Sequence, residues 1–228
     1  MKERPILFSG LMVRAILEGR KTQTRRVVKG RSSAIHADWP LSGLSAFSDG
    51  NATFRKQNDV DSYTTESVSC PYGEPGDRLW VRETMHMDGD GVWLYSADDD
   101  FVGCDRDDES IMISWAHHKD NAHCPSIHMP RWASRITLEV IGVRVGRLQD
   151  ISEADAIAEG VERNWLGEDP CPPEYQDEWM KYGSNDEDFP AFSVVESYAS
   201  LWDTINAKRG YSWASNPWVW IVEFKMIQ

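Results

Sequence analysis

Long apolar runs are missing from this chain. No stretch approaches the ~20 consecutive apolar residues that a membrane span needs, and the first residues carry no apolar signal segment. A membrane partner is not expected, and the sequence reads as cytoplasmic. Cysteine is scarce: Cys70, Cys104, Cys124 and Cys171 stand far apart with no C-x-x-C pair, which excludes a zinc ribbon and a small disulfide scaffold. Positive charge is also short, with 24 Lys and Arg against 37 Asp and Glu, a net charge of −13. Phosphate contacts dominate affinity for long duplex nucleic acid, so duplex DNA is an unsuitable partner.

What is present supports a folded domain. The 228 residues are 41% hydrophobic and include 11 Trp, enough to fill a core, and they suit one domain carrying sizeable insertions. Charge is unevenly spread. Residues 1–31 hold nine Lys or Arg and two Glu, a local balance of +7, so the remainder carries −20. A small basic site on an acidic body suits a nucleoside, a nucleotide or a short single-stranded RNA segment; a solvated basic segment without a ligand gives the same composition.

Periodicity places the elements. LMVRAILE (11–18) is a short amphipathic helix stopped at Gly19, which sets GRKTQTRR on the turn beyond it. Residues 30–75, 97–125 and 162–190 are poor in periodicity and rich in turn formers or acidic residues. They are expected as surface excursions with short strands at most. Alternation predicts a strand at 79–84, hairpinned with VWLYS (92–96), a long strand over 135–148 with Gly142 at a bulge, and a closing strand at 218–227. Ser152 caps a helix over 152–160, and Val194, Tyr198, Leu201, Trp202 and Ile205 mark another over 193–207. Helices around short antiparallel strands indicate an α+β fold.

Three separated pieces resemble the ASCH family of PUA-like proteins, in that family's order. Gly19-Arg20-Lys21-Thr22-Gln23-Thr24-Arg25-Arg26 is similar to its G-x-K-T-x-T-x-R signature, and Gly76-Asp77-Arg78-Leu79-Trp80-Val81 to its strand entry. The helix Ile151–Val161 places Glu159 where the family has its helix glutamate. The final strand around Trp220–Lys225 resembles the last barrel strand, while 130–135 and 214–220 resemble a phage- and prophage-encoded branch. The resemblance implies a PUA-like β-barrel with flanking helices and loop insertions, and a cleft facing a nucleoside or RNA. One branch comprises compact bacterial N4-acetylcytidine amidohydrolases; other relatives bind RNA without catalysis or cleave it, so the fold leaves the reaction open.

The residues themselves suit hydrolysis of an acyl amide. Thr24 can supply a hydroxyl or orient a water, Lys21 can act as base when neutral, and Glu159 can carry a proton to the leaving nitrogen. Arg20, Arg25 and Arg26 push the Lys21 ammonium toward neutrality while Glu159 opposes them, so sequence leaves the sign undecided. An ordinary Lys21–Glu159 salt bridge is the competing reading. Arg25 and Arg26 are candidate holders of phosphate or a base edge, and Arg131, Trp132 and Arg135 a candidate stacking platform. Cys104, His117, His118, His123, Cys124 and His128 match no compact zinc module and are read as loop residues, so neither metal nor cofactor is expected.

Overall fold

The computed structural model describes residues 1–29, 43–48, 50–59, 62–102, 123–163, 178–183 and 193–227. Cys104, His117, His118, Cys171 and the acidic stretch Asp186–Asp188 lie outside them. Eleven strands are present among the described residues. The principal sheet takes β1 (Glu3–Leu7), β2 (Gln23–Val27), β6 (Arg78–Arg82), β10 (Thr137–Arg147) and β11 (Trp218–Met226) in the order β1-β6-β10-β11-β2. Its pairs are antiparallel except β1 with β6. Helices α1 (Gly10–Leu17), α2 (Glu153–Ala158) and α3 (Val194–Asn206) complete an α+β arrangement. Among the described residues no helix is long and apolar enough to cross a membrane.

The expected barrel does not close. Edge strands β1 and β2 share no backbone ladder, and the seam between them is crossed by a side chain: Arg26 Nη2 donates to the Leu7 carbonyl at 2.5 Å. Phe8, just past β1, meets Phe224 of β11 at 6.2 Å between ring centroids, so side chains finish what main-chain pairing leaves open.

Several expectations hold. The β10–β11 register shifts between Val140 and Gly142, which is the bulge. Ser152 caps α2 as expected, its hydroxyl accepting from the Asp155 amide at 3.1 Å; the structure adds a cap not singled out in the sequence, Ser193 accepting from the Glu196 amide on α3. Val194, Tyr198, Leu201 and Trp202 are buried along one face of α3, but Ile205 is exposed.

Others are corrected. The strand 92–96 does not pair with 79–84. Instead β8 (Trp93–Tyr95) and β9 (His123–Cys124) flank β7 (Met85–Met87) in a separate three-stranded sheet with its own core of Met85, Trp93, Tyr95, Val102, Cys124, Met129 and Ala133. The principal-sheet strand ends at Arg82, and just beyond it the Glu83 carboxylate is buried against the guanidinium of Arg135. The region 30–75, expected to hold short strands at most, carries strands of six to nine residues. β3 (Gly43–Ser48), β4 (Asn51–Asp59) and β5 (Ser62–Ser69) form an antiparallel sheet that buries Ala52 and Phe54, with Phe54 edge-on to Trp218 at 5.5 Å. The margins of the other two regions are packed too, through Ala97, Val102 and Cys124 and through Trp179 and Tyr182. Phe54→Ala therefore removes a wholly buried ring, and urea unfolding should show a loss of about 3–5 kcal/mol.

Candidate functional site

β2 carries part of the site: the string expected on a turn begins there with Gly19–Thr22, and its second half, Gln23–Arg26, lies within this strand. Directly opposed residues of an antiparallel pair share a face. Thr24 is opposite Val222 and Arg26 opposite Trp220, so these share one face of the sheet. Arg25 takes the other face, toward α2 and α3. Lys21 stands just before the strand, where the faces meet: its Nζ lies 5.6 Å from the centroid of the Phe8 ring and reaches Glu159 on the other side.

Glu159 is not inside the helix but caps it, the residue after the last turn of α2. Lys21 Nζ donates to its backbone carbonyl at 2.7 Å and to Oε2 at 3.0 Å, across 138 positions of sequence. Backbone bonds hold the approach, since the Lys21 amide donates to Ala15 O and the Thr22 amide to Ala158 O, each at 2.9 Å. Lys21, Thr24 and Arg25 are each 4% exposed and Glu159 is 3% exposed, so these groups are buried rather than displayed on the open wall of a water-accessible pocket. Thr24 makes no side-chain hydrogen bond to Lys21 or Glu159 among the described residues.

Gly160 makes this closeness possible. Its φ is +82°, and a Cβ there would fall 2.8 Å from the Lys21 Cβ and 2.9 Å from the Ala15 Cβ. Gly160→Ala meets a left-handed backbone and two clashes at once, with an expected cost of about 2–4 kcal/mol in chemical denaturation. A loss below about 0.5 kcal/mol would mean that the helix end can move away from Lys21 freely.

Electrostatics decides the sign that sequence left open. Burial pushes the Lys21 ammonium below its ordinary value of 10.5; Glu159 pulls the other way, and Arg26 and Arg25 add to the depression. Burial alone would raise Asp155, yet hydrogen bonds and charge from Arg144 and Arg25 hold it below the usual carboxylate range. Tyr198, buried on α3, has its phenol pushed well above 10.0 by desolvation and by the nearby Glu159 charge.

Part of the local excess of positive charge is taken up in internal pairs. Arg20 meets Glu18 and Glu162, Lys21 meets Glu159, and Arg25 meets Glu159 and Asp155. Arg26 differs: it lies 5.0 Å over Phe8, bonds only the Leu7 carbonyl, and has no carboxylate partner among the described residues. Arg131, Trp132 and Arg135 are not brought to Lys21. Arg131 forks onto Glu3 at 2.7 and 3.1 Å. Arg135 forks onto buried Glu83, adds Asp98 and Asp100, and covers the Tyr95 ring at 3.9 Å. Trp132 packs half-buried against the second core. None of the three has a hydrogen bond or ion pair to Lys21, Thr24 or Glu159 among the described residues. Asp155, Gly160, Phe8 and Tyr198 are site members that sequence reasoning did not single out. Only Asp155 carried a signal, as a second acid one helical turn before Glu159.

Among the described residues no group of three or more His, Cys, Asp or Glu is placed to hold a metal ion. No family model matches the chain, and no curated protein matches it. A solved structure similar to it is the ASCH domain from Lactobacillus crispatus, at 9% identity and a TM-score of 0.37, with 99% of this chain and 79% of that chain covered. A likeness so low in identity and TM-score says nothing of activity.

Proposed function

We propose that this is an ASCH-type, PUA-like protein that hydrolyses an N-acyl amide on a modified nucleoside or nucleotide, with Lys21, Thr24 and Glu159 as its working residues. The observation that carries the reading is the buried Lys21–Glu159 contact at 3.0 Å, made by a lysine that burial drives toward its neutral form. Surface salt bridges between solvated groups have no such lysine. Support also comes from the G-x-K-T-x-T-x-R string, in which Thr24 follows Lys21 by three positions.

The reaction consumes one water. Neutral Lys21 takes the proton of the Thr24 hydroxyl or of a water that Thr24 orients, and the freed oxygen attacks the acyl carbon. The C–N bond breaks as Lys21 returns the proton to the leaving nitrogen, releasing the amine of the base; where Thr24 is acylated, water then cleaves the ester to the free acid. Glu159 holds Lys21 in place throughout. Arg26, over Phe8 and without a carboxylate partner among the described residues, is suited to a carbonyl or phosphate of the substrate.

The test is a panel of acylated and otherwise modified nucleosides and nucleotides incubated with purified protein and read by mass spectrometry. Deacylated nucleoside and free acid are the expected products. No conversion across the panel, together with saturable binding of short single-stranded RNA, would replace this reading with a non-catalytic RNA-binding module; cleavage of that RNA would replace it with a ribonuclease.

A further inference from the structure

Arg25 has no part in the steps above, yet it is the most deeply committed cation of the site. Its side chain is 1% exposed. Nη1 donates to Glu159 Oε1 at 3.0 Å and Nη2 to Asp155 Oδ2 at 2.8 Å, while its guanidinium lies 6.0 Å from the centroid of the Tyr198 ring. The Glu159 carboxylate is thereby divided: Oε2 goes to Lys21 and Oε1 to Arg25. The far anchor is itself held, because Arg144 bonds both oxygens of Asp155 at 2.9 and 3.0 Å and also meets Glu223 and Gln23.

We propose that Arg25 is a positioning residue, which fixes the rotation of the Glu159 carboxylate so that a single oxygen is offered to Lys21. A planar guanidinium with two parallel donors can span two carboxylates in a set geometry, which an ammonium cannot. Each oxygen of Glu159 then already accepts a charge-assisted hydrogen bond, so Glu159 serves as a fixed partner of the lysine and the proton traffic falls to Lys21. The role in turnover rests on the hydrolytic reading; the effect on Lys21 does not.

That effect can be read directly. The groups facing the Lys21 ammonium are the Glu159 carboxylate and carbonyl at the end of α2, Arg25 and Arg26 on β2, and the Phe8 ring beyond β1, with Tyr198 of α3 and Asp155 of α2 behind Arg25. Removing Arg25 takes away one cationic neighbour and frees Oε1 to turn to the ammonium, and both changes favour the charged lysine. In full-length protein carrying 13C at the lysine ε-carbons, with the Lys21 signal identified by its loss in Lys21→Met, Arg25→Gln should raise the Lys21 titration midpoint by about one unit. Arg25→Lys, which keeps the charge, should move the midpoint less. The rising limb of the pH–rate profile should shift to higher pH by the same amount as the titration. A merely space-filling Arg25 would lower thermal stability and leave the midpoint in place, and an unmoved midpoint in folded Arg25→Gln overturns the proposal. If Arg25→Gln does not fold, Arg25→Gln/Asp155→Asn removes that salt bridge whole, and the same rise or its absence decides. A raised midpoint in Arg25→Gln, with no turnover by the parent protein, would sink the hydrolytic reading while leaving the positioning role standing.

Discussion

Glu159→Gln should destabilise the protein by about 3–5 kcal/mol, read from urea unfolding, while Lys21→Met should cost less, about 1–3 kcal/mol. The asymmetry follows from how the charges are shared. Glu159 is the carboxylate common to two buried cations, Lys21 and Arg25, whose side chains are 2% and 1% exposed. Its neutral replacement strands both, and the new amide must turn its NH2 toward one of them. Breaking a buried pair by removing one partner is the costly route, because the remaining charge stays in low dielectric without compensation. Lys21→Met leaves Glu159 still bonded to Arg25 at 3.0 Å and fills the Lys21 volume with an apolar chain of similar length. Equal losses in the two variants would mean that Arg25 does not share the carboxylate.

The same Lys21→Met substitution should lower turnover of an N-acylated nucleoside by about 10²–10⁴-fold, the range over which general acid–base groups contribute. Lys21 is the group among the three that burial drives toward neutrality, and it is the base in the proposed reaction. The sign of the pH dependence follows. A lysine whose value lies below 10.5 gains its neutral form as pH rises toward that lowered value, so the rate of the parent protein should climb with pH and level off short of 10.5. The residual activity of Lys21→Met should lack this limb. A limb unchanged in Lys21→Met would assign the base to another residue.

How much of this was legible in the sequence depends on whether the partners were near in the chain. The cap at Ser152, the buried face of α3 and the bulge of β10 are local, and their residues announce them. The sheet β3-β4-β5 was not legible. Asn51, Thr53 and Arg55 alternate with only two buried side chains, Ala52 and Phe54, too weak an apolar pattern to mark a strand, although the ladders to β3 and β5 are local and Phe54 packs on Trp218 far along the chain. The parallel β1–β6 pair and the open seam are likewise decided by long-range pairing. At the site, the resemblance supplied Lys21, Thr24 and Glu159, and the structure brings Lys21 and Glu159 into contact. The ion pairs of Arg25 were not legible for a physical reason: its partners stand 130 and 134 positions away. The same holds for Arg131 and Arg135, whose guanidinium groups meet Glu3 and Glu83.

The measurement that bears most directly on the central claim is a crystal structure of Lys21→Met grown with an intact N-acylated nucleoside. The account predicts the acyl carbonyl within hydrogen-bond reach of the Thr24 hydroxyl, about 2.6–3.2 Å. The base should lie beside Phe8 and Arg26, and Arg25 should still be bonded to Glu159. A nucleoside bound instead at the Arg131, Trp132 and Arg135 surface, with Thr24 and Glu159 still enclosed and untouched, would contradict it.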